Sequence, residues 1–134
     1  SLPERHWVIS AIVRGDTIQL EERVEEGTSL YGYTIVPGGT IKEGETEGGA
    51  LRREVEEEYG VEITAYKRLG MVNDSDGKRM CFRHVFLVTE WTGNLTNPEN
   101  RNNHIEVSLC EARRMCNHKT QQLILDLVEA ELSG

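Results

Sequence analysis

Several things are scarce in this 134-residue chain, and each scarcity removes a class of protein. Three cysteines, Cys81, Cys110 and Cys116, form no C-x-x-C pair, and an odd number cannot close into a disulfide set. The cysteine pattern therefore reads as buried, reduced thiols in a cytoplasmic protein. No apolar run approaches the length that crosses a bilayer, and no signal peptide is visible, so neither membrane nor export is expected. Basic residues are outnumbered 15 to 23 by acidic ones, leaving a formal net charge of −8. That balance argues against a polymeric nucleic acid partner, which needs a basic face. It leaves small phosphorylated ligands open, because bound divalent cations reverse the local sign of a site.

What remains is ordinary globular material: 37% hydrophobic and 28% charged residues, enough for a single domain over 1–134 with its own core. Residues 6–14, HWVISAIVR, carry apolar side chains on both parities and read as a strand covered on both faces. Gly15-Asp16 turns the chain into a second strand from Thr17, with Ile18 and Leu20 inward and Arg23 or Val24 at its end. A third strand is expected over 31–36, stopped by a sharp turn at Pro37-Gly38-Gly39.

A helix is expected from about Thr46, a good N-cap, to Tyr59, with Gly60 as the left-handed stop. Gly48 and Gly49 weaken its first turn by about 1 kcal/mol each relative to alanine, so they mark either close backbone packing or a frayed start. Two long strands, 61–72 and 79–91, are joined by NDSDGK, whose register would put non-ligating Val72 and Arg83 at the ends of a calcium loop. A hairpin turn is the better reading. Then come a polar loop over 92–104, a short helix capped by Ser108 and Glu111, and a closing amphipathic helix over 120–132. Its inward stripe is expected to be Leu123, Leu127 and Ala130. Early hairpins and late helices point to an α/β fold with a mixed sheet flanked by helices.

The chemistry concentrates at 38–61, where seven glutamates meet only three basic residues. On a helix of 3.6 residues per turn, Glu54, Glu57 and Glu58 share an arc of roughly 100°. Like charges so spaced repel by a few tenths of a kcal/mol per pair. On residue chemistry alone, a solvated acidic face and a site for a hard cation both remain open.

Residues 39–61 resemble the Nudix box, G-x5-E-x7-R-E-U-x-E-E-x-G-U, where U is aliphatic. Gly39, Glu45, Arg53, Glu54, Val55, Glu57, Glu58, Gly60 and Val61 satisfy every fixed position, and Pro37-Gly38 matches the usual lead-in. The resemblance implies a Nudix-type α/β/α sandwich with a loop–helix–loop box. It further implies Mg²⁺- or Mn²⁺-dependent hydrolysis of a nucleoside diphosphate linked to another group. The implied metal ligands are Glu57, Glu58, Glu54 and the Gly38 carbonyl. Glu54 serves as ligand or general base, Arg53 orients the carboxylates, and Glu45 supports them. Some members carry a further glutamate outside the box, for which Glu106 is the candidate. Tyr33 and Phe82 are candidates for substrate contact.

The tyrosine of dinucleoside polyphosphate hydrolases, the proline of ADP-ribose enzymes and the coenzyme A pattern are all missing. That leans toward MutT-like cleavage of a (d)NTP into monophosphate and pyrophosphate. ADP-ribose, an NDP-sugar or a dinucleoside polyphosphate are the alternatives. A non-catalytic nucleotide-sensing module and an acidic protein-interaction domain are the readings from other classes. The partner expected is a small phosphorylated nucleotide, and the chain is expected to act as a monomer or homodimer.

Overall fold

A computed structural model describes residues 1–134. Strand β1 (Glu4–Arg14) is the spine. It pairs in parallel with β6 (Met80–Thr92), and β6 pairs antiparallel with β5 (Glu62–Ser75). On its other edge β1 meets β4 (Gly38–Thr40) first and then, past Ile12, β2 (Thr17–Glu22). β2 carries β3 (Thr34–Ile35) and β7 (Asn103–Ser108). One parallel pair among antiparallel neighbours makes the sheet mixed, as the sequence pattern implies.

Alternation along β1 feeds two cores. Val8 and Ile12 face helix α1 (Glu47–Tyr59), meeting its Ala50, Leu51, Val55 and Tyr59. Ile9, Ala11 and Val13 face α2 (Leu109–Met115) and α3 (Lys119–Ser133) through Ala112, Ile124, Leu125 and Val128. The result is an α/β/α sandwich. No helix is long and apolar enough to cross a membrane.

Helix α1 starts where its cap predicts: the Thr46 hydroxyl accepts from Gly49 N at 3.0 Å. It ends on Gly60 in the left-handed region, φ +70°, which a side chain would strain. The glycine pair in its first turn marks close packing, since a Cβ on Gly48 would come within 2.6 Å of the Tyr66 hydroxyl.

Four expectations need correction. The strand over 31–36 shrinks to Thr34–Ile35, because Leu30 (φ +60°) and Gly32 (φ +87°) bend the chain before it. Pro37-Gly38-Gly39 is not simply a turn: Gly38 and Gly39 begin β4, where the missing side chain of Gly38 lets Val8 O approach closely. The inward stripe of α3 is Thr120, Gln121, Ile124, Leu125 and Val128, while Leu123 is 50% exposed. Periodicity alone left the helix's rotation open by one position. Lastly, Cys110 is exposed rather than buried, although all three thiols are free.

Candidate active site

β4 and α1 create the site together. The chain leaves β4 at Thr40, loops through Glu45 and enters the helix, and one side chain ties these pieces. Arg53 donates from Nε to Glu45 Oε2 at 2.7 Å and from NH2 to Glu45 Oε1 at 2.9 Å. The same NH2 reaches Thr40 O at 3.0 Å, and NH1 reaches Glu54 Oε1 at 2.8 Å and Glu57 Oε2 at 3.3 Å. The fork holds the Glu45 carboxyl far down, at about 2. The carboxylates in turn push the Arg53 guanidinium up.

Glu54 is folded back against Gly39: a Cβ there would sit 2.0 Å from the Glu54 carboxyl carbon. Gly39 is therefore required by close approach rather than by its backbone angles.

Glu58 faces the opposite problem. Its Oε2 is buried with no hydrogen-bond partner. Burial raises its pKa most, followed by the charges of Glu21 and Glu54. Around it lies a small polar cavity of about 110 Å³ with no apolar lining residue, bordered by Glu21, Arg23, Glu58, Glu99, Arg101 and His104 among others. Glu21 is only 4% exposed and pairs with Arg23 at 2.7 Å. His104 stacks on Tyr59 with centroids 4.2 Å apart, and burial lowers its pKa.

This donor set fits a divalent cation. A buried carboxylate oxygen without a partner, surrounded by further carboxylates, is costly unless a positive charge stands among them. No three side chains form a ready-made cage. That suits Mg²⁺ or Mn²⁺, which take one or two carboxylates and complete their shell with water and substrate phosphate.

Of the residues singled out in the sequence, Arg53, Glu54 and Glu57 are joined by hydrogen bonds and Glu58 lies near Glu54, whereas Gly38 packs on Val8 and Ile9, one position before the Gly39 that touches Glu54. Glu106 does not border the acidic cavity. It lies opposite Gln19 on the β2–β7 ladder, two pairs from Glu21 and His104. Arg14, Thr17 and Gln19 bond it at 2.8, 2.6 and 2.7 Å. Those bonds lower its pKa.

Glu21 and Glu99 were missed. The signal for Glu21 was an acid beside Leu20 within a buried strand, and for Glu99 the long polar loop itself.

A second, larger cleft of about 440 Å³ opens beside Gly38–Thr40, on the α3 face of the sheet. Trp7, Leu30, Val36, Arg79, His118 and Gln121 are among its walls. Tyr33 meets His118 edge-on, with centroids 5.3 Å apart, at the border of this cleft. Phe82 stacks on His6 at 4.8 Å and is not part of its wall.

Comparison with known proteins agrees with this architecture. The E. coli ORF135 protein superposes with a TM-score of 0.84 over 98% of this chain and 93% of that one; at 22% identity the likeness shows the fold. An 8-oxo-dGTP diphosphatase of Proteus vulgaris is 38% identical over 67 residues, covering 50% of this chain and 60% of that protein. A diphosphoinositol polyphosphate phosphohydrolase 2 of Rattus norvegicus is 43% identical over 56 residues, 42% of this chain and 31% of that protein. The similarity thus spans less than two thirds of either curated relative. The family model of the NUDIX domain matches residues 4–127, and with the box geometry in place the chain belongs to the NUDIX family.

Proposed function

We propose that this protein is a divalent-metal-dependent hydrolase of a pyrophosphate bond in small nucleotides, cleaving a (d)NTP to the monophosphate and pyrophosphate. The observation that carries the reading is Glu58. A family motif is complete around it, and burial beside Glu21 and Glu54 disfavours its ionised form unless a cation joins them.

Glu54, Glu57, Glu58 and the Gly38 carbonyl would hold Mg²⁺ or Mn²⁺, which supplies charge screening of the phosphates and a more acidic bound water. Arg53 fixes the rotamers of Glu54 and Glu57 through the bonds described above. A carboxylate of this set takes a proton from the attacking water, whose oxygen bonds to one phosphorus of the α–β bridge as that bridge breaks, giving monophosphate and pyrophosphate. Glu99, which borders the acidic cavity, is the further acid assigned to the same water or cation in this reading. Glu106, already saturated by three donors, acts through strand pairing instead. The Proteus relative, an 8-oxo-dGTP diphosphatase, supports a triphosphate substrate. The large cleft beside β4, whose wall residue His118 is backed by Tyr33, is the seat for the nucleoside in this reading.

The test is release of phosphate or pyrophosphate from a panel of nucleotides with and without Mg²⁺ and Mn²⁺. Triphosphates turned over only with metal are the expected result. Turnover confined to ADP-ribose, an NDP-sugar or a dinucleoside polyphosphate replaces the substrate. Binding with no turnover across the panel makes the chain a sensing module.

A further inference from the structure

The nucleoside cleft has a marked imbalance in its free polar groups. Gln121, on the first turn of α3, is 2% exposed and borders the cleft. Its Oε1 accepts from Val36 N at 2.8 Å, which fixes the orientation of the carboxamide. Its Nε2 has no partner in the protein and is not sealed from solvent, so the amide presents hydrogen-bond donors to the cleft. His118, the N-cap of α3, accepts from Thr120 N through Nδ1, which places its proton on Nε2. Arg79, on the same wall, is spoken for, its Nε lying 3.2 Å from Asp76 Oδ2.

The carboxylates there are turned to cations: Asp74 bonds Arg83 at 2.7 Å, and Asp76 lies 3.2 Å from Arg79. With Arg79 and Arg83 paired to these carboxylates, the donors left without a protein partner are Gln121 Nε2 and His118 Nε2.

Resting on the nucleotide reading above, we propose that this cleft selects nucleobases by a carbonyl edge, with Gln121 as the group that reads it. Guanine, uracil and thymine present an oxygen where adenine and cytosine present an amino group. An amino group facing Gln121 Nε2 sets donor against donor, and each loses its water without gaining a bond. The apolar walls, Leu30 and Val36, and the Trp7 ring supply contact area without discriminating between bases.

The substitution Gln121→Glu tests this, because a carboxylate still accepts from Val36 N but offers no donor. The readout is the kcat/KM ratio for GTP over ATP and for UTP over CTP. The wild type is expected to favour the carbonyl member of both pairs by about tenfold or more, and Q121E to erase or invert both ratios. A wild type without that preference, or a folded, active Q121E with unchanged ratios, overturns the proposal.

Should Q121E fail to fold, the wild type is assayed with dGTP against the triphosphate of 2-aminopurine, which lacks the oxygen. Equal rates overturn the proposal, and a loss of about tenfold or more supports it. Should no nucleotide be hydrolysed at all, the function proposed above fails, and binding of GMP against AMP decides the base reading alone. Tighter GMP binding that Q121E abolishes supports it, and equal binding overturns it.

Discussion

Arg53 grips Glu45 with two parallel hydrogen bonds, Nε to Oε2 at 2.7 Å and NH2 to Oε1 at 2.9 Å, across the loop that precedes its own helix. That fork leaves NH1 free to orient Glu54 and Glu57. Lysine supplies the charge but not the planar fork. Arg53→Lys is therefore expected to lower kcat about a hundredfold with KM changed much less, the usual cost of misplacing reacting groups by about 1 Å. Steady-state kinetics on the preferred nucleotide check this; an unchanged kcat removes Arg53 from its positioning role.

Gly39→Ala attacks the same carboxylate from the other side. Its new methyl would overlap the Glu54 carboxyl, which must swing away. Since β4 backbone pairing with Val8 is untouched, the melting temperature should stay within a few degrees. Activity should fall about a hundredfold.

Glu58→Gln removes a buried ionisable group without changing the side chain's size. In chelator near neutral pH the variant should melt higher than the wild type, because burial raises the Glu58 pKa and the wild type must take up a proton there to fold. Mn²⁺ at about a hundred times its Kd should stabilise the wild type by about 2.7 kcal/mol. The variant should lose most of that shift and all turnover. Equal metal-induced shifts in both proteins would remove Glu58 from the metal site.

Glu99 and Glu106 separate two roles that the sequence merged. Glu99→Gln is expected to cut kcat about a hundredfold, the ordinary scale for a positioned acid–base or ligand group, with little change in stability. Glu106→Gln should do the reverse. It keeps kcat within about threefold but costs about 1 kcal/mol, because three donors lose a charged acceptor. Urea denaturation and kinetics on both variants distinguish the outcomes.

His84 gives a pH dependence away from the site. Arg68 donates to its Nδ1 at 3.0 Å, and its Nε2 lies 2.8 Å from His6 Nδ1. Burial lowers its pKa from 6.5, with Glu47 opposing the shift and Arg68 and His6 adding to it. Folding thus prefers the neutral ring. Above the unfolded value both states are neutral and the contribution is fully present. As pH falls below it, the unfolded chain takes the proton first, and stability is lost until the folded pKa is passed. The urea midpoint gap between wild type and His84→Gln should accordingly be larger at about pH 8 than at about pH 5.5. A constant gap would show that His84 does not titrate differently on folding.

The box is legible because it is local. Thr46, the Glu54–Glu57–Glu58 spacing and Gly60 state a capped helix with an acidic face, and only the turn geometry of one helix is needed to see it. The two-faced character of β1 is legible for a similar reason, since apolar residues on both parities demand cover on both sides. The rotation of α3 was not, because Leu123, Ile124 and Leu125 are all apolar and only the sheet beneath chooses among them.

Long-range pairing decided the rest. That Glu21 and Glu99, not Glu106, share a cavity with Glu58 follows from the β2–β7 register and the path of the loop above it, neither of which any local pattern encodes. The orientation of Gln121 likewise depends on a backbone amide 85 positions away. Short-range periodicity and steric preference write the elements and the motif into the chain. Which polar groups are left without partners, and hence what the clefts can hold, is settled only when distant segments compete for the same hydrogen bonds.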